Sequence, residues 1–246
     1  MLDCASVNDR STAELSELPA TRPALLVLVR HGQSVRNLVK GANAYFIDAK
    51  TRDSLRGQPD HSSPLTEEGM EQAHRTGVLL REAHGAFDYV YHSGYQRTIQ
   101  TAGGILSAYS PGQRAQIAVR HHLFLREREV GYTFDMTTEE ANASFPWLQE
   151  YWETFGRFFA RPPGAESLAD VAQRVYMFLG MLFRERPGQR VLVVSHGGTM
   201  RMFRFWLERW TYQEVVDKWE TEDIPNCGVL TYRFSSEKGR LVRDSD

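Results

Sequence analysis

Two short apolar runs, each leading into a histidine and a glycine, constrain this chain more than any other feature. Residues 26–29 read Leu-Val-Leu-Val and lead into Arg-His-Gly at 30–32, and residues 191–194 read Val-Leu-Val-Val and lead into Ser-His-Gly at 195–197. Such runs are typical of buried strands. Because ligands of open α/β sheets lie at the carboxyl ends of the strands, the pattern predicts two imidazoles in one pocket.

The first of these strand ends carries side chains suited to a phosphate. Arg30 has a planar guanidinium that can donate to two phosphate oxygens at once. His31 has an imidazole that changes charge near neutral pH, so it can act as a nucleophile or a proton carrier. Gly32 allows the backbone to approach a ligand closely. We therefore expect an anion site here.

Strands and helices alternate along the rest of the chain. The apolar runs predict strands over Leu25–Arg30, Phe87–His92, Gln116–Val119, Arg190–Ser195 and Gly228–Phe234. Capping residues and turn signals predict helices over Thr66–Arg81, Tyr95–Tyr109, Ser167–Arg184, Gly198–Glu208 and Tyr212–Lys218. This alternation predicts an α/β fold, a three-layer α/β/α sandwich with a mostly parallel central sheet.

The composition argues against several classes of protein. Of 246 residues, 41% are hydrophobic and 24% are charged, as in ordinary soluble globular proteins, and a net charge of -2 argues against a nucleic-acid partner. Two cysteines, Cys4 and Cys227, provide neither a zinc-binding spacing nor a disulfide framework, which fits a reducing compartment. No apolar stretch is long enough to span a bilayer and the N-terminus lacks a secretory pattern, so we expect a cytoplasmic protein without a membrane partner.

The chain is expected to form a single domain. Residues 1–22 are polar and predict a loose N-terminal extension, whereas residues 23–246 contain no repeat or linker that would divide them. Residues 38–63 are long for a connection between a strand and a helix, and form either a lid or specificity loop or a plain surface insertion. Several cations close to the first histidine either form a solvated basic loop or attract an anionic substrate. They are Arg36, Lys40, Lys50, Arg52 and Arg56.

Two further residues complete the candidate site. Arg97 falls in the first turn of a predicted helix, where free N–H groups and the positive end of the helix dipole favour an anion. Glu127 lies among cations in a predicted loop; it can protonate a leaving oxygen, although taken alone it fits a surface ion pair better. His92 also ends a predicted strand, and we assign it to a pocket wall or a structural role.

Taken together, these motifs resemble the histidine phosphatase superfamily in its phosphoglycerate-mutase-like branch. The resemblance covers residues 24 to about 234 and depends on six elements in order. They are Arg30–Ser34 with Asn37, Pro64–Ala73, Ser93–Ala102, Leu125–Gly131, Pro163–Ser167 and Val194–Gly197. Residues 155–162 and 225–229 are similar to a phosphatase-like subgroup whose substrates are poorly defined. The fold that the resemblance implies is the phosphoglycerate-mutase-like α/β fold.

The resemblance also implies a role for each candidate residue. His31 would be the phosphorylated nucleophile, and Glu127 would donate a proton to the leaving group and later accept one from water. The phosphoryl oxygens would be held by Arg30, Asn37, Arg97, His196 and Gly197. His196 works best as a donor, so we expect it to be protonated in the phosphate-loaded site. No metal and no cofactor would be required, and the oligomeric state is left open.

Three functions fit this resemblance. The leading one is a metal-independent phosphomonoesterase that acts on a small phosphorylated metabolite through phosphohistidine. A mutase of this family would carry a tryptophan soon after Arg-His-Gly and an Arg-Arg element followed by a proline run, and residues 35–37 and 132–135 provide neither. A non-catalytic phospho-ligand binding module would have lost the nucleophile or the acid, and both are present here.

Two remaining features are read as structural. A cluster of aromatic residues either lines the substrate mouth or packs a helix into the core, and we favour packing. The cluster comprises Phe145, Trp147, Tyr151, Trp152, Phe155, Phe158 and Phe159. Glu166 and Ser167 follow an alanine that departs from the family pattern, and we expect them only to start a helix.

Overall fold

The central sheet contains six strands in the order β3-β2-β4-β1-β5-β6. The computed structural model describes residues 21–41, 45–219 and 221–244, so residues 1–20 of the predicted N-terminal extension lie outside the described residues. The strands are β1 (Leu25–Arg30), β2 (Tyr89–His92), β3 (Ala118–His121), β4 (Arg190–Ser195), β5 (Val229–Ser235) and β6 (Arg240–Arg243). The first four in spatial order pair in parallel, and β5 and β6 add antiparallel to β1. The predicted mostly parallel sheet is confirmed.

Helices cover both faces of this sheet. In the described part of the chain they are α1 (Val35–Lys40), α2 (Ala49–Asp53), α3 (Glu67–His84), α4 (Gln96–Ser107), α5 (Pro111–Gln116), α6 (Thr138–Ser144), α7 (Leu148–Phe155), α8 (Leu168–Glu185), α9 (Gly197–Leu207) and α10 (Tyr212–Asp217). Within the same described ranges, no helix has the length and apolar character needed to cross a bilayer.

The alternation of side chains along β1 explains the three layers. Leu26 and Leu28 point into a core formed with α8 and α9, whereas Val27 and Val29 point into a second core formed with α3 and α4. Because successive side chains of a strand point to opposite faces, a central strand that is apolar throughout requires cover on both sides. The predicted three-layer α/β/α sandwich is therefore confirmed.

Several predicted boundaries were wrong for local reasons. The sequence Ser110-Pro111-Gly112 predicts the end of the helix that starts near Tyr95 and nothing further. In the structure Ser110 caps a new helix, α5, that has Pro111 in its first turn. That helix takes up Gln116, so β3 begins two residues later than predicted. The short elements α1, α2, α6, α7 and β6 were not predicted. Each has eight residues or fewer, too few to show a clear hydrophobic period.

Glycine packing between α3 and α4 provides a test of this layer. We expect Gly77→Ala to lower the free energy of unfolding by about 1–3 kcal/mol. A Cβ at this position would lie 2.3 Å from the carbonyl oxygen of Ile105 in α4, so the helices would have to separate. Gly103→Ala in α4 is the matched control, because no heavy atom lies within 4 Å of its Cβ position. Urea unfolding should show the control at or above wild-type stability, and equal losses in both variants would contradict the packing argument.

Candidate active site

The register between β1 and β4 brings the two histidines together. Arg30 lies opposite Ser195 in the parallel pairing, and the backbone N–H of His31 donates to the carbonyl of Ser195 at 2.9 Å. The next residue after each strand is therefore a histidine at the same sheet edge. The ring centroids of His31 and His196 are 5.1 Å apart at an interplanar angle of 65°. The prediction that both imidazoles meet in one place is confirmed.

His31 is held as a neutral imidazole with one nitrogen committed. Its Nδ1 donates to the carbonyl of Gly32 at 2.8 Å, so the proton lies on Nδ1 and the lone pair lies on Nε2. Burial, and then the charge of Arg97, hold the pKa of His31 well below its ordinary value. The side chain thus combines a free lone pair with a low tendency to protonate, as a nucleophile requires.

Two glycines allow the backbone after His31 to turn against α3. A Cβ on Gly32 would lie 2.5 Å from the carbonyl oxygen of Gly69, and a Cβ on Gly69 would lie 2.1 Å from that of Gln33. The N–H of Gly32 also donates to Thr101 in α4 at 3.0 Å. Motifs far apart in sequence therefore fix the position of the His31 backbone.

His196 lies directly beside the His31 ring. It is fully buried; its Nε2 donates to Ser93 at 2.8 Å, and its Nδ1 accepts a hydrogen bond from Arg97 Nε at 3.3 Å. Burial, followed by the charges of Arg97 and His31, lowers its pKa well below the ordinary value. The structure thus contains a neutral His196 with both ring nitrogens engaged inside the protein. The expectation of a protonated His196 that binds a phosphoryl oxygen stays a prediction for the phosphate-loaded site.

A cleft of about 220 Å³ opens beside His31. Its lining includes most of the predicted site: Arg30, His31, Asn37, Arg97 and Glu127. Other side chains on the lining include Ser34, Arg36, Lys40, Asp60, Tyr95, Arg128, Glu129 and Phe134. Gly197 lies just behind, where a Cβ would be 3.6 Å from the Nε of Arg30.

Arg97 is already engaged by a carboxylate. Its Nη1 donates to the carbonyl oxygen and Oδ1 of Asp60 at 2.7 and 3.1 Å, and its Nη2 donates to Oδ2 at 3.0 Å. With Nε on His196, four of the five donor hydrogens are used. The Arg97 side chain is almost completely buried, whereas the Asp60 side chain is 27% exposed, so solvent reaches the pair from the Asp60 side. Asp60 belongs to the 38–63 segment, which therefore borders the cleft.

Two more of the predicted phosphate ligands, Arg30 and Asn37, contact the segment before β5. Arg30 donates to the carbonyl of Ile224 and lies 3.5 Å from the carboxylate of Asp223. Asn37 Oδ1 accepts from the backbone N–H of Ser34 at 3.2 Å and from Asn226 at 3.3 Å. Since the oxygen of this amide is occupied, its Nδ2 is the group available to donate to an anion.

The Glu127 carboxylate is held by the backbone of its own loop and by the start of α9. It accepts from the backbone N–H of Arg128 at 2.8 Å and lies 3.5 Å from that of Gly198, in the first turn of α9. A Cβ on Gly198 would lie 2.7 Å from Glu127 Oε1, so a side chain there would displace the carboxylate from this position. Glu127 and His31 line the same cleft although they belong to different segments of the chain.

Glu166 does more than the sequence predicted. Its carboxylate accepts from Arg126 at 2.6 Å, from Arg174 at 3.0 Å and from the backbone N–H of Glu129 at 3.0 Å. These contacts attach the Glu127 loop to α8. Ser167 caps α8 as predicted, forming a capping box with its N3 residue. The expectation that Glu166 only starts a helix was therefore wrong.

The remaining expectations divide. Arg36 is buried over the Phe134 ring at 3.6 Å and lines the cleft with Lys40, whereas Lys50 and Arg56 are exposed to solvent. The basic stretch is thus partly pocket and partly solvated surface. His92 does not line the cleft; its Nδ1 accepts from the Gly94 N–H, which supports the structural assignment.

Members of the aromatic cluster lie in different environments. Phe158 is buried in the core beside α8 and α9, as the packing interpretation predicts. Trp152 instead lines a cavity next to the cleft, and Trp147, Phe155 and Phe159 are exposed. Sequence reasoning missed Asp60, although an acid in a segment already flagged as long was a usable signal.

Comparison with known proteins identifies the family. The family model of the histidine phosphatase superfamily (branch 1) matches residues 26–246, and the chain belongs to that superfamily. It is 34% identical to the phosphoglycerate mutase-like protein AT74H of Arabidopsis thaliana, covering 83% of this chain and 72% of the relative. It is 31% identical to a 2,3-bisphosphoglycerate-dependent phosphoglycerate mutase of Rhizobium etli, covering 86% and 91%.

Solved structures show the same fold. Mycobacterial glucosyl-3-phosphoglycerate phosphatase, in complex with VO3, superimposes with a TM-score of 0.64 at 23% identity, covering 91% of this chain and 98% of that one. Bacillus stearothermophilus YhfR gives a TM-score of 0.68 at 21% identity, covering 90% and 96%. The phosphoglycerate-mutase-like fold is therefore confirmed, within a family that includes phosphatases and phosphoglycerate mutases.

The electrostatics of the two histidines provide a prediction. Arg97→Gln removes the charge that, after burial, most lowers the pKa of both His31 and His196, so both pKa values should rise. Burial persists in the variant, so both should stay below the ordinary value. Histidine NMR titration measures this directly. His84 is the internal control, because its pKa is lowered by burial and by Arg233 and Arg190; unchanged values for both active-site imidazoles would refute the assignment.

Proposed function

We propose that this protein is a metal-independent phosphomonoester hydrolase that works through a phosphohistidine at His31. The observation that carries the proposal is a neutral imidazole at the edge of a cleft that also contains the guanidinium groups of Arg30 and Arg97 and the carboxyl group of Glu127. A neutral nucleophile, cations for the developing charge and a proton donor are the parts that phosphoryl transfer to histidine needs.

In the first half-reaction, the Nε2 lone pair of His31 attacks phosphorus while the bond from phosphorus to the ester oxygen breaks. Glu127 gives its proton to the departing oxygen, so the alcohol leaves neutral. The hydrogen bond from Nδ1 to the Gly32 carbonyl stabilises the positive charge that develops on the imidazole. Arg30 and Arg97 are proposed to hold the equatorial oxygens, with Asn37 donating through Nδ2.

In the second half-reaction, water attacks the phosphorus of the phosphohistidine. Glu127, now a carboxylate, takes a proton from this water, and the bond between phosphorus and Nε2 breaks to release phosphate. The acid and the neutral imidazole are both restored. We propose that His196 supports both half-reactions in two ways. Its Nδ1 holds the Arg97 guanidinium in place, and its ring lies against the His31 ring.

The proposed substrate is a small phosphorylated metabolite. The cleft contains several cationic side chains, including Arg36, Lys40 and Arg128, and a volume of about 220 Å³ suits a compact anion. The 38–63 segment contributes Lys40 and Asp60 to this cleft, which supports a role in specificity. We further propose a cytoplasmic location and no nucleic-acid partner, on the composition given above.

A mutase is the second candidate, because relatives at 31% identity are 2,3-bisphosphoglycerate-dependent phosphoglycerate mutases. Against it, residues 35–37 lack a tryptophan and residues 132–135 lack the Arg-Arg element.

Incubation with 3-phosphoglycerate and 2,3-bisphosphoglycerate, followed by ³¹P NMR, distinguishes the mutase from the hydrolase. Primer-dependent isomerisation would favour the mutase, whereas release of inorganic phosphate would favour the hydrolase. Tight phosphate-ester binding without turnover would instead indicate a binding module.

Substitution of the nucleophile tests the proposal. His31→Ala should lower p-nitrophenyl phosphate hydrolysis by at least about a thousandfold, because no other side chain replaces the attacking nitrogen. Rapid quenching of the wild type with labelled substrate should trap an acid-labile, base-stable phosphoenzyme, which the variant lacks. His92→Asn is the matched control, since it removes a histidine outside the cleft and should retain activity. Wild-type enzyme without hydrolysis across a panel of phosphomonoesters between roughly pH 5 and pH 8 would defeat the proposal.

The contact between Asp60 and Arg97 gives a second test. Phosphate and the Asp60 carboxylate compete for the same guanidinium, so Asp60→Asn should lower the inhibition constant of inorganic phosphate by about threefold to tenfold at low salt. Asp53→Asn is the control, because it removes an equal charge from α2 in the same segment without touching Arg97. A higher inhibition constant in Asp60→Asn would show that the carboxylate positions Arg97 and does not compete.

A further inference from the structure

A second cavity adjoins the phosphate cleft and takes no part in the chemistry described above. Its volume is about 340 Å³, and it shares Lys40, Glu127, Arg128 and Val130 with the cleft. Because Glu127 borders both spaces, an alcohol that takes its proton from this carboxyl has the second cavity directly beside it. We name this space the leaving-group cavity and define it by those four shared residues and by the three aromatic residues that follow.

The walls of the leaving-group cavity are aromatic. Tyr45, Trp152 and Trp219 line it from three separate segments, namely the 38–63 segment, α7 and the turn after α10. Such convergence is not explained by the packing of one helix, because each ring comes from a different element. Cavities of this size, lined by apolar rings with a few polar groups, are typical of small-molecule sites.

One wall is held firmly in place. The guanidinium carbon of Arg201 lies 4.5 Å from the centroid of the Trp219 ring, and its Nη2 donates to the Trp219 carbonyl at 3.0 Å. Arg201 also binds Asp223 at 3.1 Å, and Asp223 in turn lies 3.5 Å from Arg30. The Trp219 ring is therefore linked to the predicted phosphate ligand Arg30 through Arg201 and Asp223.

The four residues that the two spaces share form a neck between them, and two of these residues, Lys40 and Arg128, are cationic. Arg128 Nε donates to the carbonyl of Glu166 at 2.8 Å, and burial lowers the pKa of this guanidinium. Burial and the charge of Arg36 lower the pKa of Lys40 to about 8. Positive charge near the phosphorus and rings farther out suit a substrate with its anionic end in the cleft and a flat apolar group beyond.

We infer that the leaving group carries a planar aromatic ring, and that Tyr45, Trp152 and Trp219 determine this specificity. The inference deepens the proposed function and rests on it. A short aliphatic alcohol would reach the neck but leave the rings uncovered. A planar ring would fill the space between them, and contacts of this kind are worth up to about tenfold in affinity for a well-placed pair.

Binding of non-hydrolysable phosphonates to the full chain tests the inference without turnover. The probes are 2-naphthylmethylphosphonate, cyclohexylmethylphosphonate, which is apolar but not planar, and methylphosphonate. Calorimetry should show the naphthyl compound binding about tenfold or more tighter than the cyclohexyl one. Equal affinity for the two bulky probes would overturn the inference, because it would show that the cavity does not recognise planarity.

Variants assign the effect to the cavity. Trp152→Leu and Trp219→Leu should each remove most of the naphthyl preference while leaving methylphosphonate binding within about twofold. Trp152→Phe keeps a ring at the same position and should retain the naphthyl preference. It therefore keeps the test decisive even where a leucine variant fails to fold. Trp147→Leu is the matched control, since this exposed tryptophan precedes the same helix and does not line the cavity. A naphthyl preference that survives both leucine substitutions would overturn the assignment.

Turnover separates this inference from the proposed function. With the phosphate esters of 2-naphthylmethanol and cyclohexylmethanol, the ring should act mainly through KM, and formation of phosphohistidine should persist in Trp152→Leu. Turnover at His31 without ring preference would overturn the inference and leave the proposed function standing. Ring-selective phosphonate binding without turnover would overturn the proposed function and retain the ligand class of the cavity.

Discussion

The register between β1 and β4 is the constraint on which the site depends. Six residues of each strand pair in parallel, and the hydrogen bond from His31 N–H to the Ser195 carbonyl continues the ladder by one residue. A slip of one residue would reverse the faces of all the apolar side chains along β1, so the two buried cores fix this alignment. The contact between the two imidazoles is thus a consequence of packing on both faces of the sheet.

The chemistry then follows from how charge is arranged around a buried imidazole. Burial and Arg97 lower the pKa of His31, and the Gly32 carbonyl selects which nitrogen carries the proton. The same arginine contacts His196 and Asp60 and lowers the pKa of His31, so one guanidinium adjoins both histidines and the 38–63 segment. A substitution of Arg97 therefore changes the surroundings of all three.

Sequence reasoning recovered what local pattern determines. The two His-Gly strand ends, the helix caps at Thr66 and Ser167 and five residues of the cleft were predicted. The five are Arg30, His31, Asn37, Arg97 and Glu127. Contacts between distant segments were not predicted. Asp60 meets Arg97 across 37 positions, and although the length of its segment was a signal, nothing local pairs the two residues. Nor does the sequence show that Glu166 binds the Glu127 loop. The inward position of His196 depends on rotamers and on Ser93, which periodicity does not report.

His31 and Glu127 share one support and differ in a second. His31 follows β1 beside Ser195, and the Glu127 loop is attached to the same strand end, because Ser195 Oγ donates to the Leu125 carbonyl at 2.8 Å. Glu166 and Arg174 attach the other side of this loop to α8. Substitutions at the start of α8 therefore reach the Glu127 carboxyl without touching the His31 imidazole, so the spacing of the two groups can be adjusted from one side of the fold.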